Sequence, residues 1–146
     1  MPTTQLSPHF TLSEMIYSET ALRRGIDNTP PPEIVDNLKR LCARLEEVRA
    51  MLGHPMIISS GYRCLELNRA IGSSDTSAHV QGLACDFTCP QFGDPKAVCN
   101  AIIEHGIKFD QVIWEYASWT HFGLTAGSER QMVLTIDNSG TKYGIA

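Results

Sequence analysis

The stretch Ser77-Ala78-His79-Val80-Gln81-Gly82-Leu83-Ala84-Cys85-Asp86-Phe87-Thr88 runs from a small, polar loop into a short apolar run. Leu83 to Thr88 reads as a β-strand. On it Cys85, Phe87 and the following Cys89 share one face, while Ala84, Asp86 and Thr88 share the other. Two cysteines beside a phenylalanine describe a core face, and Asp86 marks the opposite one. An aspartate inside an otherwise apolar strand is costly unless it is ionised against a cation or strongly hydrogen-bonded. His79 precedes it by seven positions, in a loop. Gly82 must let the chain fold back if the two side chains are to converge.

On the C-terminal side of this strand, Asp94-Pro95 is a helix N-cap followed by proline at the first helical position. That helix carries Val98, Ile102 and Ile103 and is closed by Gly106. Strands are expected at about 109–115, 119–124 and 131–136. On the N-terminal side, Thr11 and Glu14 have capping-box spacing before a short helix with Met15 and Ile16. A turn follows at Gly25 to Asn28. Pro30 to Pro32 introduce the best helix of the sequence, in which Ile34, Leu38, Leu41, Leu45, Val48 and Leu52 draw one apolar stripe. Gly53 ends it as a left-handed cap. Met56 to Ser60 is a β-prone run, Cys64 to Ile71 a helix stopped by Gly72, and Gly72 to Ser77 a loop. Helices come first and strands late. The expected class is α+β, with a small antiparallel sheet, helices packed on it and a mainly helical N-terminal half. One domain over 1–146 is expected, with about 1–28 as a helical extension packed on it.

The net charge of -4 argues against a nucleic-acid partner, which calls for a basic face. No apolar run is long enough to span a bilayer, so no membrane insertion is expected. Met1 to Phe10 does not read as a secretory signal, which suggests synthesis in the cytoplasm. The five cysteines are odd in number and contain no CxxC pair. They read as reduced, mostly buried thiols. Cys85 and Cys89 have a spacing that zinc sites also use, but they lie on the strand's core face.

A third metal-capable residue, His121, lies in Trp119-Thr120-His121-Phe122-Gly123, also on an expected strand. Two histidines and one carboxylate match the ligand set of a catalytic zinc site with an open position. The pattern S-x-H-x-x-G-x-A-x-D from Ser77 to Asp86, followed by W-x-H at Trp119 to His121, resembles the M15 family of zinc peptidases. That family includes D-alanyl-D-alanine carboxypeptidases and dipeptidases and phage L-alanyl-D-glutamate endopeptidases. Ser59-Ser60-Gly61-Tyr62-Arg63, with Asn68 five residues on, resembles the same family's S-G-Y-R segment. The likeness covers nearly the whole chain and is greatest to short, single-domain phage and prophage members.

The resemblance implies a zinc ion held by His79, Asp86 and His121. It implies that Arg63 binds the substrate carboxylate or steadies the oxyanion, tasks that suit a charged fork. Ser77 is a candidate substrate hydrogen-bonder, although a loop serine also caps turns. The general base is where the sequence departs from the best-known members. Their acidic residue stands three positions before the last histidine, and Ser118 stands there in this chain. The available carboxylate is Glu115. If Tyr116-Ala117-Ser118 forms a three-residue turn, Glu115 pairs with Trp119 and shares a face with His121, roughly 7 to 8 Å away at the backbone. A two- or four-residue turn puts them on opposite faces. Ala-Ser suits the two-residue primed turns poorly, which favours the odd loop. Trp114, Tyr116 and Trp119 surround this hairpin as packing and pocket wall, with Trp119 a candidate substrate contact. No function is assigned to His9, His54 or His105.

By resemblance, the reaction is zinc-dependent hydrolysis of a peptide bond in the stem peptide of peptidoglycan, at a bond involving a D-amino acid. In that reaction Glu115, standing in for the family's usual acid, would take the proton and pass it to the leaving amine, while Arg63 would handle negative charge. A phage lysis enzyme, released by membrane permeabilisation or carried in a virion, reconciles cytoplasmic synthesis with a wall substrate. The competing class is a zinc-binding virion or wall-docking module that kept the fold and lost hydrolysis. A small zinc amidase acting on non-wall peptides is a third reading. The sequence gives no basis for an oligomeric state.

Overall fold

A computed structural model describes residues 4–146. The first three residues of the expected N-terminal extension lie outside the described residues. The rest of that extension is not purely helical. It begins with a small hairpin, β1 (Gln5–Ser7) and β2 (Phe10–Thr11), before α1 (Leu12–Ile16) and α2 (Glu19–Arg24). Thr11 and Glu14 form the expected capping box at the start of α1. Phe10 and Met15 are buried in the main core, so this segment is packed into the rest of the chain.

The long helix α3 (Pro32–Leu52) enters at proline and leaves at Gly53, whose φ of 70° is left-handed. Its stripe of Leu38, Leu41, Leu45, Val48 and Leu52 is buried, joined by Cys42, while Ile34 is half-buried at the edge. Strand β3 (Ile57–Ser60) and helix α4 (Leu65–Ala70) follow. His79 then sits on a single 3-10 turn, Ala78–Gln81, where the sequence suggested an open loop. Strand β4 (Ala84–Thr88), helix α5 (Pro95–His105), and strands β5 (Gln111–Glu115), β6 (Trp119–Gly123), β7 (Met132–Asp137) and β8 (Gly140–Tyr143) complete the chain.

The fold is α+β, as expected. Strands pair in the order β3-β4-β6-β5-β7-β8. Every neighbour in this sheet is antiparallel except β5 and β7, which run parallel. The parallel pair arises because the segment after β6 crosses the start of β5, with Gln131 N–H donating to Phe109 O and Met132 N–H to Asp110 O. One face of the sheet presents Cys85, Phe87, Val112 and Phe122 to α3 and α5, in one core with Leu41, Leu45, Val98, Cys99 and Ile102. The opposite face is left for Asp86, Ile113, Glu115 and His121. All five cysteines are free thiols, and Cys42, Cys85, Cys89 and Cys99 are buried. Burial pushes the Cys42 thiol up to about 12.

The crossing segment is fixed by charge. Arg40 donates to Thr125 O (2.6 Å) and pairs with Glu129 (3.2 Å), and Arg44 donates to Lys108 O and approaches Glu129. Arg130 grips Asp110 with two N–H groups at 2.9 and 2.8 Å. That guanidinium holds the buried Asp110 carboxyl below its ordinary value, against the opposing effect of burial. A depressed carboxyl stabilises the fold above the ordinary carboxylate range and loses that contribution as pH falls through its lowered value. Arg130→Ala is therefore expected to cost about 1 kcal/mol near neutral pH, the exposed cation limiting the pair's strength. In denaturant titrations the deficit should shrink as the medium is acidified.

Two positions tie the extension to the later motifs. Buried Asn28 donates to Ile16 O (2.9 Å) and Tyr62 O (3.0 Å) and accepts from Cys64 N–H (2.7 Å). Gly61 lies so close to α1 that a Cβ there would collide with the Met15 carbonyl. Asn28→Ala removes the partner of three backbone groups, one buried and two part-buried, and is expected to destabilise the fold by about 1–3 kcal/mol. Denaturant unfolding measures this directly.

Candidate metal and peptide site

His79, Asp86 and His121 meet in one buried cluster, each offering a ligand atom, with all three atoms within 4.8 Å of one another. Register brings two of them together: Asp86 on β4 stands directly opposite His121 on β6. The third arrives through the turn before β4. Ser77 Oγ accepts from His79 N–H at the start of that turn (3.2 Å). Gly82 closes it at a φ of 70°, with its α-carbon against Ile34 and Leu38 of α3. A side chain at position 82 would meet both the left-handed backbone and that helix. The chain reversal between His79 and Asp86 thus depends on glycine.

Asp86 Oδ1 lies 3.0 Å from His121 Nδ1 and 3.4 Å from His79 Nε2. The other nitrogen of His79, Nδ1, donates to Gly61 O at 2.7 Å. A carbonyl only accepts, so Nδ1 carries the proton and Nε2 is the atom presented to the cluster. His121 turns Nδ1 inward, and its Nε2 packs over Gly123, where a Cβ would lie 3.4 Å from it. Burial alone would raise the Asp86 carboxyl, but the hydrogen bonds of His121 and His79 outweigh it and hold the group well below the usual range. Burial lowers His79, disfavouring its charged form. A deprotonated carboxylate facing a neutral imidazole is the state in which these groups ligate metal. The donor set, its burial and the second bond of His79 fit a zinc ion.

Glu115 ends β5, paired with Trp119 across a turn of three residues, Tyr116 to Ser118, as the odd-loop expectation required. Tyr116 and Ala117 both have left-handed φ, 50° and 53°. Ile113, two residues before Glu115, stands opposite His121. Glu115 Oε1 consequently lies 3.7 Å from His121 Nδ1. Burial raises its carboxyl above the ordinary value, opposed mainly by His121. Ser118 plays no such part: it is exposed, and its hydroxyl donates to Tyr116 O within the turn.

A cavity of about 660 Å³ opens beside the cluster, lined by Arg63, Ser77, Glu115, Tyr116 and Trp119 together with the three metal-capable residues. Arg63 is fixed by its backbone, which donates to His79 O (3.2 Å), and its Nη1 reaches Ser60 Oγ (3.4 Å). Its Nε is buried and has no hydrogen-bond partner among the described residues. Burial disfavours its charge, while Asp86 and Glu115 favour it. Asn68, fully buried, donates to Ser74 O (2.7 Å) and pins the loop that forms one rim. Trp114 points to the other side of the sheet, where the Lys96 ammonium lies 5.3 Å from its ring centroid, and is packing alone. His9 pairs with Glu46 at 2.6 Å, away from the cavity.

The arrangement therefore combines a cluster of three metal-capable residues, a neighbouring carboxyl with raised affinity for protons, and a half-buried cation. The family model for peptidase M15 matches residues 8–123, and this chain belongs to that family of peptidases. The matched span contains every residue of the cluster and its cavity. No curated protein matches the chain. Sequence reading overlooked Asn28 and the Gly61 carbonyl, which orient the Arg63 segment and the His79 ring. An asparagine beside a turn carries no local mark of partners 12 and 34 residues away.

Proposed function

We propose that this peptidase is a zinc enzyme that hydrolyses a bond involving a D-amino acid in the stem peptide of bacterial peptidoglycan, in the setting of phage or prophage lysis. The placement of Glu115 beside the His79, Asp86 and His121 cluster, in one cavity with Arg63, carries the reading. The zinc ion would be held by His79 Nε2, the Asp86 carboxylate and His121 Nδ1. When bound it supplies a Lewis acid that polarises the scissile carbonyl and makes water a competent nucleophile near neutral pH.

The remaining chemistry belongs to the chain. Glu115 takes the proton of the attacking water and hands it to the leaving amine, a role for which a raised carboxyl pKa is suited. Arg63 places fixed positive charge where negative charge develops on the substrate, its Nε being a donor without an acceptor among the described residues. Trp119 and Tyr116 wall the cavity, their rings 5.7 Å apart. Ser77 accepts from the His79 backbone and keeps its O–H to donate to substrate.

A metal-binding docking module without turnover is the reading that Ser118 raised. Glu115 favours the enzyme, because a carboxyl has been brought to the cluster by a different route. Release of amines from purified peptidoglycan, in the presence and absence of chelator, separates the two. Zinc-dependent release is expected. Bound zinc with no release from wall or from a peptide panel would favour the module, and release that survives chelation would exclude the zinc mechanism.

A further inference from the structure

A second cavity of about 590 Å³ lies on the far side of His121. It shares His121 and Ser77 with the first and continues past them to Gln111, Ile113, Thr125 and Arg130. Both cavities open on the same face of the sheet. Glu115 of β5 lines one, and Gln111 and Ile113 of the same strand line the other. From Gln111 to Glu115 the strand advances four residue steps, about 13 Å, the length of roughly four residues of extended peptide. The ligand cluster therefore sits partway along a groove, where an enzyme that trims a chain end would have it at a closed terminus.

The far half is built as firmly as the near one. Its outer wall is the segment after β6, held to α3 by Arg40 and Arg44 and to the start of β5 by the pair of Arg130 with Asp110, the residue before that strand. Asp110 and Arg130 pair with each other, and besides His121 the rest of the polar lining is uncharged: the amides of Asn37, Gln81 and Gln111 and the hydroxyls of Thr76, Ser77 and Thr125. Amides and hydroxyls suit the alternating donors and acceptors of a peptide backbone. They offer no concentrated charge to capture a terminal carboxylate or amine.

Resting on the zinc peptidase reading, we infer that the second cavity binds the substrate peptide beyond the scissile bond, so that the chain passes through the site and is cut internally. The substrate class is then a peptide continuing on both sides of the cut, and neither free terminus is required.

The test uses synthetic stem peptides of five or six residues, acetylated at the N-terminus and amidated at the C-terminus, alongside the same peptides with free ends and a dipeptide. Thr76→Trp and Ala126→Trp, exposed positions on the two walls, would fill the far cavity without touching the core. The zinc-loaded protein is expected to cut the doubly blocked peptides internally. Each tryptophan variant should raise KM for them by about tenfold or more. Binding gives a second readout: blocked peptide titrated into Glu115→Gln protein should shift the backbone amide resonances of Gln111 and Thr125. Cleavage restricted to peptides with a free terminus would overturn the inference and leave the peptidase reading standing. Undiminished cleavage by both variants, or unshifted Gln111 and Thr125 amides, would also overturn it. Failure of the zinc-loaded protein to cut any peptide in the panel would remove the peptidase reading with it.

Discussion

Glu115→Gln is expected to lower kcat on peptidoglycan fragments by about 10²- to 10⁴-fold, the range that a positioned general base contributes. Glutamine keeps the size and the hydrogen-bonding reach of the side chain and loses only the ability to take a proton. Zinc content and unfolding midpoint should therefore match the wild type. The expectation depends on geometry that a remote acid would not share. Glu115 lies 3.7 Å from His121, lines the same cavity as Arg63, and has a carboxyl raised by burial. Ser118 supplies the control: Ser118→Ala removes a hydrogen bond within the turn and should leave kcat within about twofold, since surface changes of this kind seldom exceed ±0.5 kcal/mol. A Glu115→Gln protein that retained wild-type turnover would place the base elsewhere.

The second large effect concerns the cluster itself. Asp86→Ala is expected to abolish stoichiometric zinc binding and, with it, measurable hydrolysis. It removes the one negative ligand and leaves two buried histidines, 5.1 Å apart between ring centroids, without a carboxylate between them. Chelation of wild-type protein should reproduce the loss of hydrolysis, and added zinc should restore it in wild type alone. The apo protein should remain folded, because the core of α3, α5 and the sheet face lies on the other side of Asp86. Circular dichroism and zinc analysis on the same samples separate loss of metal from loss of fold. An Asp86→Ala protein that still bound one zinc tightly would require another ligand set.

The site was readable in the sequence wherever it depends on local pattern. Alternation along Leu83 to Thr88 separates the faces of β4, and Asp86 emerges as the polar exception. Strand parity across Tyr116 to Ser118 is enough to link Glu115 with His121, since a period of two leaves only one odd-loop solution. Gly82, Gly53 and Gly106 mark reversals that only left-handed backbone completes. What remained hidden depends on partners distant in the chain. The parallel pairing of β5 and β7 follows from the route of the segment after β6, which periodicity does not encode. The β1–β2 hairpin has strands of three and two residues, too short for alternation to register. Asn28 acts through backbone groups on two other segments. The far cavity draws its walls from α3, the loop before His79, β5 and the segment after β6, and no motif spans them.

Every step of the proposed chemistry requires that His79, Asp86 and His121 hold the metal. A crystal of the zinc-loaded protein, with anomalous scattering collected on both sides of the zinc edge, tests it most directly. One anomalous peak is expected, bonded to His79 Nε2, the Asp86 carboxylate and His121 Nδ1, with Glu115 close by and unbonded. A peak at Cys85 and Cys89, or no peak within bonding distance of His79, would contradict it.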